Sequence, residues 1–366
     1  MKNVFYTSTI FILILFITGC APKYNKEFEK ISKANLKQSS WKELKDFEND
    51  DLNLSLEVFK KACVRSKRYN TFKNACEKAL KTSNAKQFFQ ENFTPFKLYD
   101  DKNSEQGLIT GYYEPLLNGS RIKTGKFKYP IYNVPKDLIT VDLSSVYPEL
   151  KKYRLRGQLK GNKLIPYNTR AQMGKKIDLE PICYVDSKVD LFFLQIQGSG
   201  KVKFQDGTII NVGYANQNGR SYNSIGKAMI KKGYITPSQG SLQGIKKWFE
   251  ENPTKIDEVL NINESYVFFQ ESKRSATGAL GVELVAKRNL AVDRKYIPLG
   301  MPVFIQTSNP INKKEINQLM IAADVGGAIK GQIRADFFWG NSKMAEETAG
   351  RMKEKGILYM LIPNNL

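Results

Sequence analysis

Histidine is absent from the 366 residues of the chain. That excludes Ser-His-Asp and Cys-His catalysis, HExxH zinc sites and any imidazole base. Acid and base chemistry falls to Asp, Glu, Lys or Tyr, the residue types on which glycoside cleavage relies. Acidic residues are scarce as well: 36 against 57 basic ones, a formal charge of 57 − 36 = +21. Such a surface suits an anionic partner. Zinc-finger, RNP and P-loop motifs are missing, so nucleic acid is not the expected partner. The chain is rich in Lys, Asn, Ile and Phe throughout, which makes the charge a property of the whole composition. After residue 19 no apolar run approaches the ~20 residues of a membrane helix. There is no internal repeat and no low-complexity segment.

What is present begins with an export signal. Lys2 precedes an apolar run over residues 5–19, ending Ile17-Thr18-Gly19-Cys20. A basic start, a short apolar stretch and a small-residue cleavage site read as a signal peptide over 1–20. The cysteine after Gly19 resembles a bacterial lipobox, in which Cys20 is lipidated. Ala21, rather than Asp, follows it, which by resemblance to enteric sorting rules favours the outer membrane, with the folded part in the periplasm. Residues 21–55 are polar and Lys-rich and read as a tether. The ~310 residues beyond suggest two domains.

Three cysteines remain after Cys20. Cys63 and Cys76 lie in a helical stretch, and on one straight helix their spacing turns about 220°, pointing them apart. A turn near Tyr69-Asn70-Thr71 would make two short helices, let them face each other and permit a disulfide in an oxidising compartment. Cys183, in Pro-Ile-Cys-Tyr-Val, reads as a small buried hydrophobe.

From residue 107 strand signals dominate. Residues 108–113, 129–135 and 191–197 read as extended, and 201–212 as a hairpin turning at Asp206-Gly207. Helices are expected over 224–232, over 237–252 with Ser238 as a cap, and over 342–355. Residues 266–269, 290–292, 302–305, 320–323 and 357–362 read as further strands. The class is mostly β with N-terminal helices (α+β).

Three late aspartates stand out by context. Asp293 follows Ala291-Val292. Asp324 ends an apolar strand and precedes Gly326-Gly327. Asp336 precedes Phe337-Phe338-Trp339. Glycines let backbone pass close to a ligand or another strand. A carboxyl beside three aromatics would be partly desolvated, which raises its pKa toward that of a general acid. The aromatics suit sugar rings or a core equally well, and on spacing alone each aspartate could be a turn or cap residue.

Residues 107–363 contain TGYYEP (110–115), YPIYNVP (129–135), DLFFLQIQGSG (190–200), GYANQNG (213–219), YNSIGK (222–227), SYVFFQE (265–271), GALGVEL (278–284), AVDRKYIPLG (291–300), ADVGGAIKG (323–331) and RADFFWG (334–340). In this colinear set the chain resembles the family of membrane-bound lytic murein transglycosylase A, with its C-terminal three-aspartate (3D) domain. The resemblance implies a double-psi β-barrel over 56–115 and 248–366, a β-rich insert over 116–247 and a groove between them. It implies Asp336 as the single acid/base, supported by Asp324 and Asp293. Tyr112, Gln197, Gly198, Ser199, Gly200, Tyr214, Lys330 and Trp339 are expected to hold the glycan. The implied reaction cuts the bond between N-acetylmuramic acid and N-acetylglucosamine, leaves 1,6-anhydro ends and needs no cofactor or metal. Expected partners are peptidoglycan strands, the outer membrane through the lipid anchor, and murein synthases. An inverting murein hydrolase and a non-catalytic murein-binding lipoprotein are the competing readings.

Overall fold

The computed structural model describes residues 31, 33–65, 72–176 and 178–364. The expected signal peptide, Cys20 and the turn at residues 69–71 lie outside them. Among the described residues no helix is long and apolar enough to cross a membrane.

The strands are, in chain order, β1 (Asn35–Gln38), β2 (Phe93–Tyr99), β3 (Gly107–Tyr112), β4 (Leu116–Ser120), β5 (Tyr129–Tyr132), β6 (Ile139–Thr140), β7 (Arg156–Lys160), β8 (Lys163–Pro166) and β9 (Pro181–Val185). They continue as β10 (Ser199–Phe204), β11 (Ile209–Gln217), β12 (Val267–Ser272), β13 (Asn289–Val292), β14 (Pro302–Ser308), β15 (Glu315–Asp324), β16 (Arg334–Phe338) and β17 (Lys353–Pro363). The largest sheet runs β1-β2-β17-β14-β15-β13-β16-β3, and β3 pairs again with β17. That second pairing closes β17, β14, β15, β13, β16 and β3 into a ring. A second sheet runs β12-β11-β10-β4-β9-β5, and a small third one β6-β7-β8. The observed class is mostly β with helices.

The ring packs one face into the main core. Leu290, Val292, Ala322, Ala323, Ala335, Phe337 and Ile109 all point there. Strands buried on both faces read as unbroken apolar runs, and β13 is buried at every position. The helix Leu52–Arg65 lies against β15. Its Phe59 meets Phe88 and Phe93 at ring-centroid distances of 5.8 and 5.7 Å. Each such buried ring is worth roughly 1.5–3 kcal/mol. A disulfide joins Cys63 to Cys76, with Cα atoms 5.5 Å apart, and ties the helix Leu52–Arg65 to the helix Lys73–Ala79. Closing a loop of this length contributes about 3 kcal/mol in the chain-entropy account. Cys183 is free and fully buried.

Several expectations need correction. Residues 35–55 are not a tether: β1 pairs with β2, and Leu44, Phe47 and Leu52 are buried. Residues 191–197 are the end of a helix, Lys188–Gln197, capped by Ser187 and stopped by Gly198 at φ 82°. Its Leu191, Phe192, Phe193 and Leu194 are all buried, and an apolar run without periodicity reads equally as a buried strand. The helix expected from residue 237 starts at Leu242 with Ser241 as its cap, after a 3-10 turn at Pro237–Gln239. The last helix, Lys343–Arg351, ends early because Lys353 already pairs with Thr110. The insert boundary at residue 247 also moves. β12 pairs with β11 and belongs to the second sheet, whereas Leu242, Ile245, Phe249 and Leu260 pack into the main core.

One buried ion pair anchors the N-terminal segment to the ring. Arg288 Nη1 lies 2.8 Å from Asp50 Oδ1, and the same nitrogen donates to Ser55 Oγ and the Leu319 carbonyl. Asp50 Oδ2 also accepts from the Leu319 amide at 2.7 Å. Removing one partner of such a pair leaves a buried charge unmatched. Asp50→Ala should therefore lower the free energy of unfolding by about 3–5 kcal/mol in chemical denaturation. A loss below about 1 kcal/mol would show that the pair is not the anchor.

Candidate active site

Alternation decides which side chains share the face of the ring away from the main core. On β16, Ala335 and Phe337 point into the core, so Arg334, Asp336 and Phe338 point out. Parallel pairing sets Thr110 opposite Asp336 and Tyr112 opposite Phe338. On the other side, Ala291 of β13 is opposite Asp336.

Asp324 reaches this face through an irregularity. Leu290 is opposite Ala322, but the next residue, Ala291, is opposite Asp324, and Ala323 is an extra residue in β15. Without that bulge Ala323 would face Ala291, and Asp324 would follow Val292 into the core. A one-residue slip moves a side chain to the opposite face. The bulge thus sets Asp324 and Asp336 on either side of one small residue, Ala291. The segment after β12 crosses closely here. A Cβ on Gly278 would sit 2.4 Å from the Ala323 carbonyl oxygen, so only glycine passes. That approach delivers the Ala279 amide to Asp324 Oδ1 at 2.9 Å, and the Val325 amide adds a second bond at 2.8 Å.

Both aspartates are half-buried. Burial pushes the Asp324 carboxyl up to about 6. The two backbone amides oppose that shift, and the nearby Asp336 charge reinforces it. Burial also raises Asp336, against the pull of its hydrogen bond from Thr110 and of the Arg334 charge. Thr110 Oγ1 donates to Asp336 Oδ1 at 2.6 Å, and Arg334 Nη2 donates to Thr110 Oγ1 at 2.8 Å. Tyr112 is buried, packs on Phe338 at 5.0 Å and faces Asp324, and among the described residues its hydroxyl makes no hydrogen bond of ordinary geometry. Burial, then the charges of Asp324 and Asp336, raise its pKa well above the ordinary phenol value.

The other expected residues divide. Asp293 is buried apart from the pair, and its oxygens accept from the Lys295 and Gly331 amides, which pins the loop between β15 and β16. Gln197 Oε1 accepts from the Tyr113 amide at 3.2 Å, which draws the Gln197-to-Gly200 turn to the end of β3. Tyr214 is exposed on β11 and Lys330 is exposed in the loop after β15, and neither bonds the aspartates. Trp339, expected at the glycan, is not on the surface. It is buried, tilted against Phe337 with ring centroids 4.6 Å apart, and its indole N–H is directed at Met352 Sδ. Strand alternation from Asp336 puts it inside.

Thr110, Arg334 and Glu114 went unnoticed in the sequence. The signal available was that TGYYEP and RADFFWG both place polar residues ahead of or behind aromatics. Glu114 is 2% exposed, and a buried carboxylate needs partners. It accepts from the Ala276 amide and Ser275 Oγ at 2.8 Å and from Asn341 at 3.3 Å, with Lys201 Nζ 3.8 Å away. These contacts join the ring to β10 of the second sheet.

Known proteins are similar over most of the chain. Residues 108–270 match the family model described as the MltA specific insert domain, and 288–362 match the 3D domain. A membrane-bound lytic murein transglycosylase A homolog from Buchnera aphidicola is 33% identical over 353 residues, 93% of this chain and 88% of that one. The crystal structure of MltA from Neisseria gonorrhoeae superposes with a TM-score of 0.80 at 35% identity, over 90% of this chain and 93% of that one. E. coli MltA with bound chitohexaose gives 0.66 at 26% identity, over 84% and 90%.

The burial of Trp339 makes a test. Trp339→Phe should cost about 2 kcal/mol of stability through lost volume, read by chemical denaturation. A loss below about 0.5 kcal/mol would show that the indole is not packed in the core.

Proposed function

The chain belongs to the membrane-bound lytic murein transglycosylase A family, and from that premise we propose that it cleaves peptidoglycan glycan strands between N-acetylmuramic acid and N-acetylglucosamine, leaving 1,6-anhydromuramyl ends. The closed ring is read as the double-psi barrel and the β4-to-β12 region as the insert. The strand would lie between them, along the Gln197-to-Gly200 turn and Tyr214.

Asp336 is the acid/base in this reading. Its carboxyl proton passes to the glycosidic oxygen as the bond from that oxygen to muramyl C1 breaks. The positive charge spreads over C1 and the ring oxygen. The carboxylate then takes the proton of the sugar's own 6-hydroxyl, whose oxygen bonds to C1. No water enters. The attacking hydroxyl is already tethered, so effective concentration replaces a second carboxylate that would activate water. Asp324 keeps the proton affinity of the pair high, and Asp293 holds the loop between them. The observation that carries the reading is the pair itself: two half-buried carboxyls flanking Ala291, one raised to about 6 by burial.

Asp336→Asn should lower turnover by at least ~10³-fold while the protein stays folded, since one group serves both proton transfers. Products from murein sacculi are read by mass spectrometry. Anhydro ends support the reading, reducing ends would make the protein a hydrolase, and no release by the wild-type protein would make it a binding module. A general acid must be protonated, so activity should fall as pH rises through the raised carboxyl range. Asp324→Asn removes a neighbouring negative charge and should move that fall to lower pH.

Localisation rests on Ile17-Thr18-Gly19-Cys20, which supports a lipid anchor at Cys20 and a folded part facing the periplasm from the outer membrane. Cys20→Ala should move the protein from the membrane fraction to the soluble one with its sugar chemistry intact. Retention in the membrane would make the apolar run an uncleaved anchor.

A further inference from the structure

The hydrogen-bond chain Arg334–Thr110–Asp336 has a direction set by what each group can donate. A guanidinium only donates, and a threonine hydroxyl has a single hydrogen. Arg334 Nη2 stands 2.8 Å from Thr110 Oγ1 and donates to it, and with Asp336 Oδ1 unprotonated the one hydroxyl hydrogen goes to that oxygen at 2.6 Å. Arg334 is itself held, since its Nη1 donates to the carbonyls of Leu108 and Ala335. Asp336 Oδ2 takes no hydrogen bond among the described residues. We propose that Thr110, oriented by Arg334, is a positioning residue that reserves Oδ1 of Asp336 as an acceptor and leaves the transferable proton on Oδ2.

This rests on Asp336 being the acid/base and adds which oxygen acts and what aims it. The groups around Asp336 are Arg334 on its own strand, Thr110 and Tyr112 from β3, Ala291 from β13 and Asp324 from β15. Lys353, opposite Thr110 on β17, is exposed. Of these, only Thr110 hydrogen-bonds the carboxyl. Its hydrogen stabilises the ionised form, and it also fixes the plane of the carboxyl for the second half of the reaction.

The test is a pH series of kcat and KM on glycan strands for Thr110→Val, Thr110→Ser, Arg334→Gln and Asp336→Asn. Thr110→Val keeps the shape and loses the donor. Its kcat should fall roughly 10–100-fold with KM nearly unchanged, and the high-pH limb should move up by about one unit. Thr110→Ser should restore both. Arg334→Gln should move the limb the same way. A high-pH limb unmoved in Thr110→Val or Arg334→Gln would overturn the proposal, as would a Thr110→Ser variant as impaired as Thr110→Val. Asp336→Asn separates the failures. If it retains turnover, the acid/base reading fails. If it is inactive while Thr110→Val keeps the wild-type limb, only the positioning role fails.

Discussion

Successive residues of a strand face opposite ways, and this site exists because β15 breaks that alternation once. Ala323 is the extra residue, and it turns Asp324 outward beside Asp336. The rest of the region is shaped around that bulge. Gly278 is needed for the chain to pass the Ala323 carbonyl, and the close passage brings the Ala279 amide to Asp324. Ala291 is small, so two carboxyls can flank it without a bulky side chain between them. A bulge costs ladder hydrogen bonds, and here backbone amides of a neighbouring segment replace them.

In a chain without histidine, burial is what brings a carboxyl toward neutral pH, as it does for Asp324. The fold then limits how far burial goes. Asp324 receives two amide hydrogens and Asp336 one hydroxyl, and each of these bonds opposes the rise that burial causes. Asp293, equally conspicuous in sequence, sits in a turn where both oxygens are engaged by backbone. Its contribution is geometric: it holds the loop that leads from Asp324 to Asp336.

Much of the architecture was legible. The Asp206-Gly207 hairpin, the apolar β14 and β15 and the cysteine pair follow from turn chemistry, periodicity and helix geometry. What failed did so for physical reasons. Residues 191–194 are buried on every side of their helix, so no periodicity marks them. Residues 35–55 look like a tether because their apolar side chains are scattered among polar and charged ones without a clear period, yet Leu44, Phe47 and Leu52 enter the core. Trp339 followed an aspartate and two phenylalanines, and only alternation separates the outward Phe338 from the inward Trp339. The direction of the bond from Arg334 through Thr110 could not be read at all, because it depends on a pairing between distant strands.

That distance has its own consequence. Thr110 and Asp336 are 226 residues apart in the chain, and they meet only because β3 lies between β16 and β17. Contacts of such long sequence separation form late, since the entropy of closing the loop comes before any contact can offset it. The second sheet and its helices lie inside that loop and must be compact before its ends can meet. When two-thirds of the polypeptide has been made, the residues of the helices before β2 and of five strands of the second sheet are present, but neither Asp324 nor Asp336. Both carboxyls of the pair come from the final third of the chain, so a copy truncated before it lacks the pair altogether.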